Sequence, residues 1–172
     1  MISPLLIQII GLAALLVAVL IFQVNNRKHM LILGVTASLL WTTHFLLLGA
    51  LTASIMNFLG ATRCYVYYKV KPSKDNLWIM WLFIVILAIA MIVTWAGPIS
   101  LLPFAGSLFG VIAFWQKETK YIRRLALGSS PPWLIHNIIV GSYPGIIVEI
   151  LLIVSNLIGQ YRFDFKKTSS DN

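Results

Sequence analysis

Charge is what this chain has least of. Only 10% of its residues are Asp, Glu, Lys or Arg, against about a quarter in a soluble domain. With 59% hydrophobic residues and a mean hydropathy of +0.89, it cannot cover a water-facing surface, and a bilayer is its solvent. A single cysteine, Cys64, excludes an intramolecular disulfide and reads as a small core residue. There is no Gly-rich loop ending in Lys, no Gly-x-Ser-x-Gly and no HExxH, which removes nucleotide hydrolysis and the common hydrolase sites. The expectation is a non-enzyme with no cofactor and no metal. The apolar run Leu5 to Val24 has no Lys or Arg before it and no small-residue cleavage signature after it. It is therefore expected to be a retained span and not a signal peptide.

What is present is a stretch written twice. Trp41, His44 and Gly49 recur 92 positions later as Trp133, His136 and Gly141. The same shift pairs Phe22 with Phe114, Lys28 with Lys120, Ser38 with Ser130, Ile55 with Ile147 and Leu59 with Leu151. The chain has 3 His in all, so two at matched places beside Trp and Gly imply an internal duplication.

A spanning helix takes roughly 17–25 mostly apolar residues. Seven stretches qualify, at about 3–23, 30–49, 52–68, 77–95, 99–115, 125–141 and 144–161. The expected fold is all-α and membrane-embedded, in a single domain. Repeat 1 covers about 3–68, a linker helix 77–95, repeat 2 about 99–161, and a short polar tail 162–172. Such a 3+1+3 order brings in the second copy with the same orientation, related by an axis along the membrane normal.

The net charge of +8 does not point to nucleic acid, because its distribution is that of a membrane protein. All 13 Lys and Arg fall in or beside alternate loops: Asn25 to His29, Lys69 to Asn76, Gln116 to Arg124, and the tail. Basic short loops stay cytoplasmic, which sets the N-terminus outside and the C-terminus inside, with basic loops facing anionic headgroups. Trp78, Trp81, Trp115, Tyr65, Tyr67, Tyr68, Tyr121 and Tyr161 then sit at inner helix ends, and Trp95 and Tyr143 at outer ones, as interfacial aromatics do. Trp41 and Trp133 lie about 12 Å of helix rise from the outer glycines, near mid-membrane.

The chain resembles the bacterial inner-membrane family called YgjV. The second half carries the pattern Trp133-Leu-Ile-His136-Asn137, Gly141-Ser142, Gly145, Glu149 and Asn156; the first carries His44 to Gly49, Asn57 and Arg63. That resemblance implies a multi-pass protein of the bacterial inner membrane. More distantly, the three-plus-one-plus-three order is similar to the SWEET, PQ-loop and KDEL-receptor group, which implies a solute path between two bundles. The Pro-Gln dipeptide of that group is absent, since neither Pro4 nor Pro103 is followed by Gln.

Polar side chains inside spans are costly and are functional candidates by default. His44, Asn57, His136 and Glu149 fall at similar depths in the outer half by helix rise, and the shift of 92 also pairs Asn57 with Glu149. Asn137 can join them, although it points about 100° away from His136. Glu149, the sole in-span acid, is expected to hold a proton or to pair with His136 or a cationic ligand. For the two His, binding and simple interhelical locking stand equal. A lower layer holds Arg63, expected to snorkel inward, and Asn156, expected to bond across helices. Pro131-Pro132 should interrupt the sixth span. Trp41 and Trp133 either floor a cavity or fill a core, and Gly106 to Gly110 has small-residue spacing for close packing.

The reading that follows is a secondary transporter or facilitator of an unknown small solute, with Trp41, His44, Asn57, Trp133, His136, Asn137, Glu149 and Asn156 as the substrate and proton site. The alternative is a non-transporting receptor, scaffold or assembly factor of the same fold. Two His are too few for a closed zinc site without Glu149, which leaves a metal or haem protein the weakest reading. Both halves share one chain, so a monomer suffices.

Overall fold

The computed structural model describes residues 3–165; the expected tail beyond, with Lys166 and Lys167, lies outside the described residues. These residues are overwhelmingly helical, and no strand occurs among them. The helices are α1 (Pro4–Leu20), α2 (Arg27–Leu47), α3 (Leu51–Lys69), α4 (Leu77–Val93), α5 (Leu101–Trp115), α6 (Thr119–Ala126), α7 (Ser130–Ile139) and α8 (Tyr143–Gln160).

The starts and stops follow local chemistry. Ser3 caps α1 by accepting from the Leu6 N–H, with Pro4 in the first turn, and Asn26 caps α2 by accepting from Lys28 and His29 N–H. The helices α2 and α7 end alike, in glycines at positive φ, Gly49 at 76° and Gly141 at 67°. In the first turn, Ala50 N–H bonds Phe45 O and Gly49 N–H bonds Leu46 O. In the second, Ser142 N–H bonds Asn137 O and Gly141 N–H bonds Ile138 O. Both are Schellman turns, which use glycine because the left-handed residue has no Cβ to clash.

Among the described residues, four segments are long and apolar enough to cross a bilayer: Pro4–Gln23, Arg27–Leu47, Pro98–Trp115 and Tyr143–Phe165. The helix α4 is a shorter apolar one. The stretch expected to span at 125–141 departs from that expectation. Helix begins earlier, at Thr119 inside the expected loop, and a 3-10 turn at Leu127–Ser129 separates α6 from α7. The prolines lie in the first turn of α7. Having no N–H, they leave Leu127 and Gly128 carbonyls without α-helical donors, so the break falls one turn before them.

In the bundle, α1 packs on α2 and α8, α2 on α3, α3 on α5, α5 on α6 and α7, and α7 on α8, which closes a ring. The helix α4 lies against α3 and α5, burying a stripe of Ile79, Phe83 and Leu87 at i, i+4 and i+8. Large apolar side chains elsewhere are bare, such as Leu5 at 71% and Val93 at 78% exposure. A water-soluble protein would cover such a surface; acyl chains can. Trp78, Trp81, Tyr65, Tyr121, Tyr161, Trp95 and Tyr143 are exposed. Tyr67 and Trp115, expected beside them at the interface, are instead buried against each other with ring centroids 4.9 Å apart.

Candidate functional site

A cavity of about 150 Å³ lies within the ring, lined from α1, α2, α3, α5, α6, α7 and α8. Fourteen of its lining residues form seven pairs, each separated by 92 positions: Ala18 and Gly110, Phe22 and Phe114, Ala37 and Ser129, Ser38 and Ser130, Trp41 and Trp133, Phe45 and Asn137, Asn57 and Glu149. The two walls differ in polarity. Residues from the first half give Ser38 and Asn57, whereas those from the second give Ser129, Ser130, Asn137, Glu149 and Asn156.

Of the residues singled out from sequence, Trp41, Asn57, Trp133, Asn137, Glu149 and Asn156 line this cavity. Glu149 is buried and its carboxyl meets the Ser130 hydroxyl. Asn57 donates to Ala53 O of its own helix at 3.0 Å. Asn137 is buried with Oδ1 unpaired. Asn156 does bond across helices, donating to Arg123 O at 2.7 Å and accepting from Gln160 at 3.2 Å.

The two tryptophans are joined through Phe45. Its ring stacks on Trp41 at 5.5 Å and on Trp133 at 5.8 Å between centroids, an aromatic column along one side of the cavity. Gly106 makes room for it, since a Cβ there would stand 2.4 Å from Trp133 Cδ1. The glycines of α5 thus accept side chains: Gly106 takes the Trp133 indole and Gly110 the Arg63 guanidinium.

His44 and His136 are buried beside the cavity, edge-on to Trp41 and Trp133 respectively, without lining it. His44 is fully engaged: Nδ1–H donates to Ile7 O at 2.9 Å, and Nε2 lies 2.8 Å from Ser142 Oγ. With the imidazole neutral, Ser142 donates to Nε2 while accepting from the Gly145 N–H. His136 differs. Its Nδ1 has no well-formed hydrogen bond, its polar neighbour is Asn137, and it borders a separate cavity of about 420 Å³ with Ala50, Ile99 and Ser100.

Arg63 does not snorkel. It is 7% exposed and its guanidinium lies 5.3 Å from the centre of the Phe114 ring. Among the described residues it has a weak contact to Cys64 Sγ at 3.6 Å, and Nε is unpartnered. A signal for this was available: Ala53, Met56, Gly60, Arg63 and Tyr67 recur at i+3 and i+4, and the stripe faces inward.

Polar ties hold the end of the bundle where the basic loops lie. Arg27 donates to Gln116 O, Tyr67 O and Phe114 O at 2.8, 3.0 and 3.0 Å, capping the C-terminal carbonyls of α3 and α5. Arg123 pairs with Asp164 and donates to Asn25 Oδ1 at 3.1 Å. Among the described residues no cluster of three or more His, Cys, Asp or Glu is placed to hold a metal ion.

The sequence matches the family described as bacterial inner membrane protein, Imp-YgjV, across residues 5–167. The chain belongs to that family. It is 27% identical over 159 residues to "Inner membrane protein YgjV" of Escherichia coli (strain K12), which covers 92% of this chain and 84% of that one. No solved structure matches it. Like its family, the chain is a multi-pass protein of the bacterial inner membrane.

Proposed function

We propose that this YgjV-family protein is a secondary carrier or facilitator of a small solute, not an enzyme, and that its central cavity is the solute site. In this reading α1–α3 and α5–α8 are two like-facing repeats joined by α4, with α6 and α7 together serving as the middle span of the second. The N-terminus is outside, and the basic loops face anionic headgroups inside. The observation that carries the proposal is the paired lining. A void that draws matched residues from both repeats, and that holds the carboxyl of Glu149 within a span, is where two rocking bundles would hold a solute. The matched Schellman turns at Gly49 and Gly141 support the duplication itself.

Glu149 is the proton-exchanging group and Asn57 its uncharged counterpart. Purified protein in proteoliposomes carrying a pH-sensitive dye tests this directly. A metabolite panel should include a solute that moves protons with it, and Glu149→Gln should abolish that movement while the protein still inserts and folds. Proton movement unchanged in Glu149→Gln would remove the carboxyl from the mechanism. One observation favours the alternative of a non-transporting scaffold: ties from His44 and Arg27 fasten the two halves at both ends. For that reading, no solute of the panel would cross.

A further inference from the structure

Two ionisable side chains of opposite type, Glu149 in the lining of the central cavity and Arg63 just behind it, do not meet. Glu149 reaches the cavity from α8. Arg63 stands one layer behind the lining, packed from α3 against the lining residue Gly110, where a Cβ would stand 2.7 Å from Arg63 Nη1. Both side chains are buried, at 7% exposure each, and neither belongs to an ion pair among the described residues. Burying one such charge alone is costly, and burying two without pairing them is more so. By helix rise, Arg63 lies about 18 Å from the outer end of α3 and Glu149 about 9 Å from that of α8. The charges are therefore staggered along the membrane normal, with Trp41, Phe45 and Trp133 along the void.

We infer that the ligand of this cavity is a small zwitterion, its ammonium group on Glu149 and its carboxylate on Arg63. This rests on the cavity being a solute site and deepens that reading. A carboxylate fits the planar fork of a guanidinium whose Nε is unpartnered. An ammonium group fits a carboxylate beside aromatic faces. One molecule bearing both satisfies both side chains and adds no net charge to the membrane interior. The cavity volume of about 150 Å³ matches that of an engineered cavity that takes benzene, so the ligand is a handful of heavy atoms. The stagger favours charges separated by several methylenes over a shared α-carbon.

Calorimetric titration of the purified full chain with 4-aminobutyrate tests the inference, with butyrate and butylamine as single-charge controls. The zwitterion should bind at least about tenfold more tightly than either control, as expected when a buried charge finds its partner. Arg63→Gln should abolish that advantage yet leave butylamine affinity unchanged, and Glu149→Gln should do the reverse, sparing butyrate. Should Arg63→Gln fail to fold, Gly110→Ala retains the charge, and its Cβ must displace Nη1, so it too should weaken the zwitterion. Equal affinity for all three probes, no binding of the zwitterion, or undiminished binding by folded Arg63→Gln or Gly110→Ala would each overturn the assignment. Binding of 4-aminobutyrate without its passage into proteoliposomes would sink the carrier reading alone. Passage of an uncharged solute without zwitterion binding would sink this one alone.

Discussion

His44 Nε2 lies 2.8 Å from Ser142 Oγ, whereas His136, 92 positions after His44, borders a cavity with Ala50, 92 positions before Ser142. The matched places have different chemistry. Ser142 also caps α8 through the Gly145 N–H, while Ala50 at the start of α3 caps nothing. The first histidine therefore fastens α2 to α1 and to the α7–α8 turn, and the second leaves a buried nitrogen unpaired.

The two sites should respond in opposite ways to exchange. Ser142→Ala removes a cap and strands a buried imidazole nitrogen, and should cost about 1–3 kcal/mol in detergent unfolding. Ala50→Ser supplies a cap to α3 and should stabilise by about 0.5–1.5 kcal/mol. Equal and small effects at both positions would show that the histidine bond carries no weight in the fold.

Gly106→Ala should be poorly tolerated. Its Cβ would stand 2.4 Å from Trp133 Cδ1 and 2.5 Å from Nε1, and a ring stacked through Phe45 has little room to move aside. Overpacking of this kind costs about 1–3 kcal/mol. The indole should be pushed toward the cavity, so a shifted tryptophan emission should accompany the lower melting temperature. Gly97→Ala provides a contrast: its Cβ meets open space, so any cost there comes from its φ of 92° alone.

Much of the cavity was legible in the sequence because residues matched at a spacing of 92 include many that line it. Trp41 with Trp133 and Asn57 with Glu149 could be matched by position alone, and all four line the void. What position could not give was direction around the helix. His44 and Trp41 are three residues apart on one helix, yet the ring of His44 turns toward Ile7 and Ser142 while Trp41 faces the cavity. Position alone suggests that Arg63 snorkels, because a long side chain near a helix end has a route to the headgroups. Gly110 and Phe114 on a facing helix, 47 and 51 residues later, offer it a place inside instead. The break before α7 falls a turn ahead of Pro131 because proline acts on the carbonyls four residues behind it.

Asp164→Ala should destabilise far more than Glu118→Ala, although each removes one ion pair. Arg123 and Asp164 have side chains 0% and 3% exposed, whereas Lys120 and Glu118 are 42% and 58% exposed. Stranding a buried guanidinium costs about 3–5 kcal/mol; losing a solvated pair costs about 0–1 kcal/mol. Arg123 also bonds Asn25 in the α1–α2 loop, so the loss of Asp164 should loosen that end of the bundle. Faster hydrogen exchange there than at the His44 end would be the local readout.

The orientation read from the basic loops can be tested one residue at a time. Cys64 is 1% exposed, so a membrane-impermeant maleimide should leave the unaltered protein unlabelled. A cysteine at Lys74, in the loop after α3, should react only in inverted vesicles or after permeabilisation. One at Ala96, in the turn before α5, should react in intact spheroplasts. A cysteine at Lys117 should behave as Lys74 does, because two crossings, α4 and then α5, return the chain to the side it left. Labelling at Lys117 from outside, with Lys74 and Ala96 labelled from inside, would mean that the short helix α4 does not cross. In that case the like-facing order of the two trios would fail, and the cavity's paired walls would need another origin.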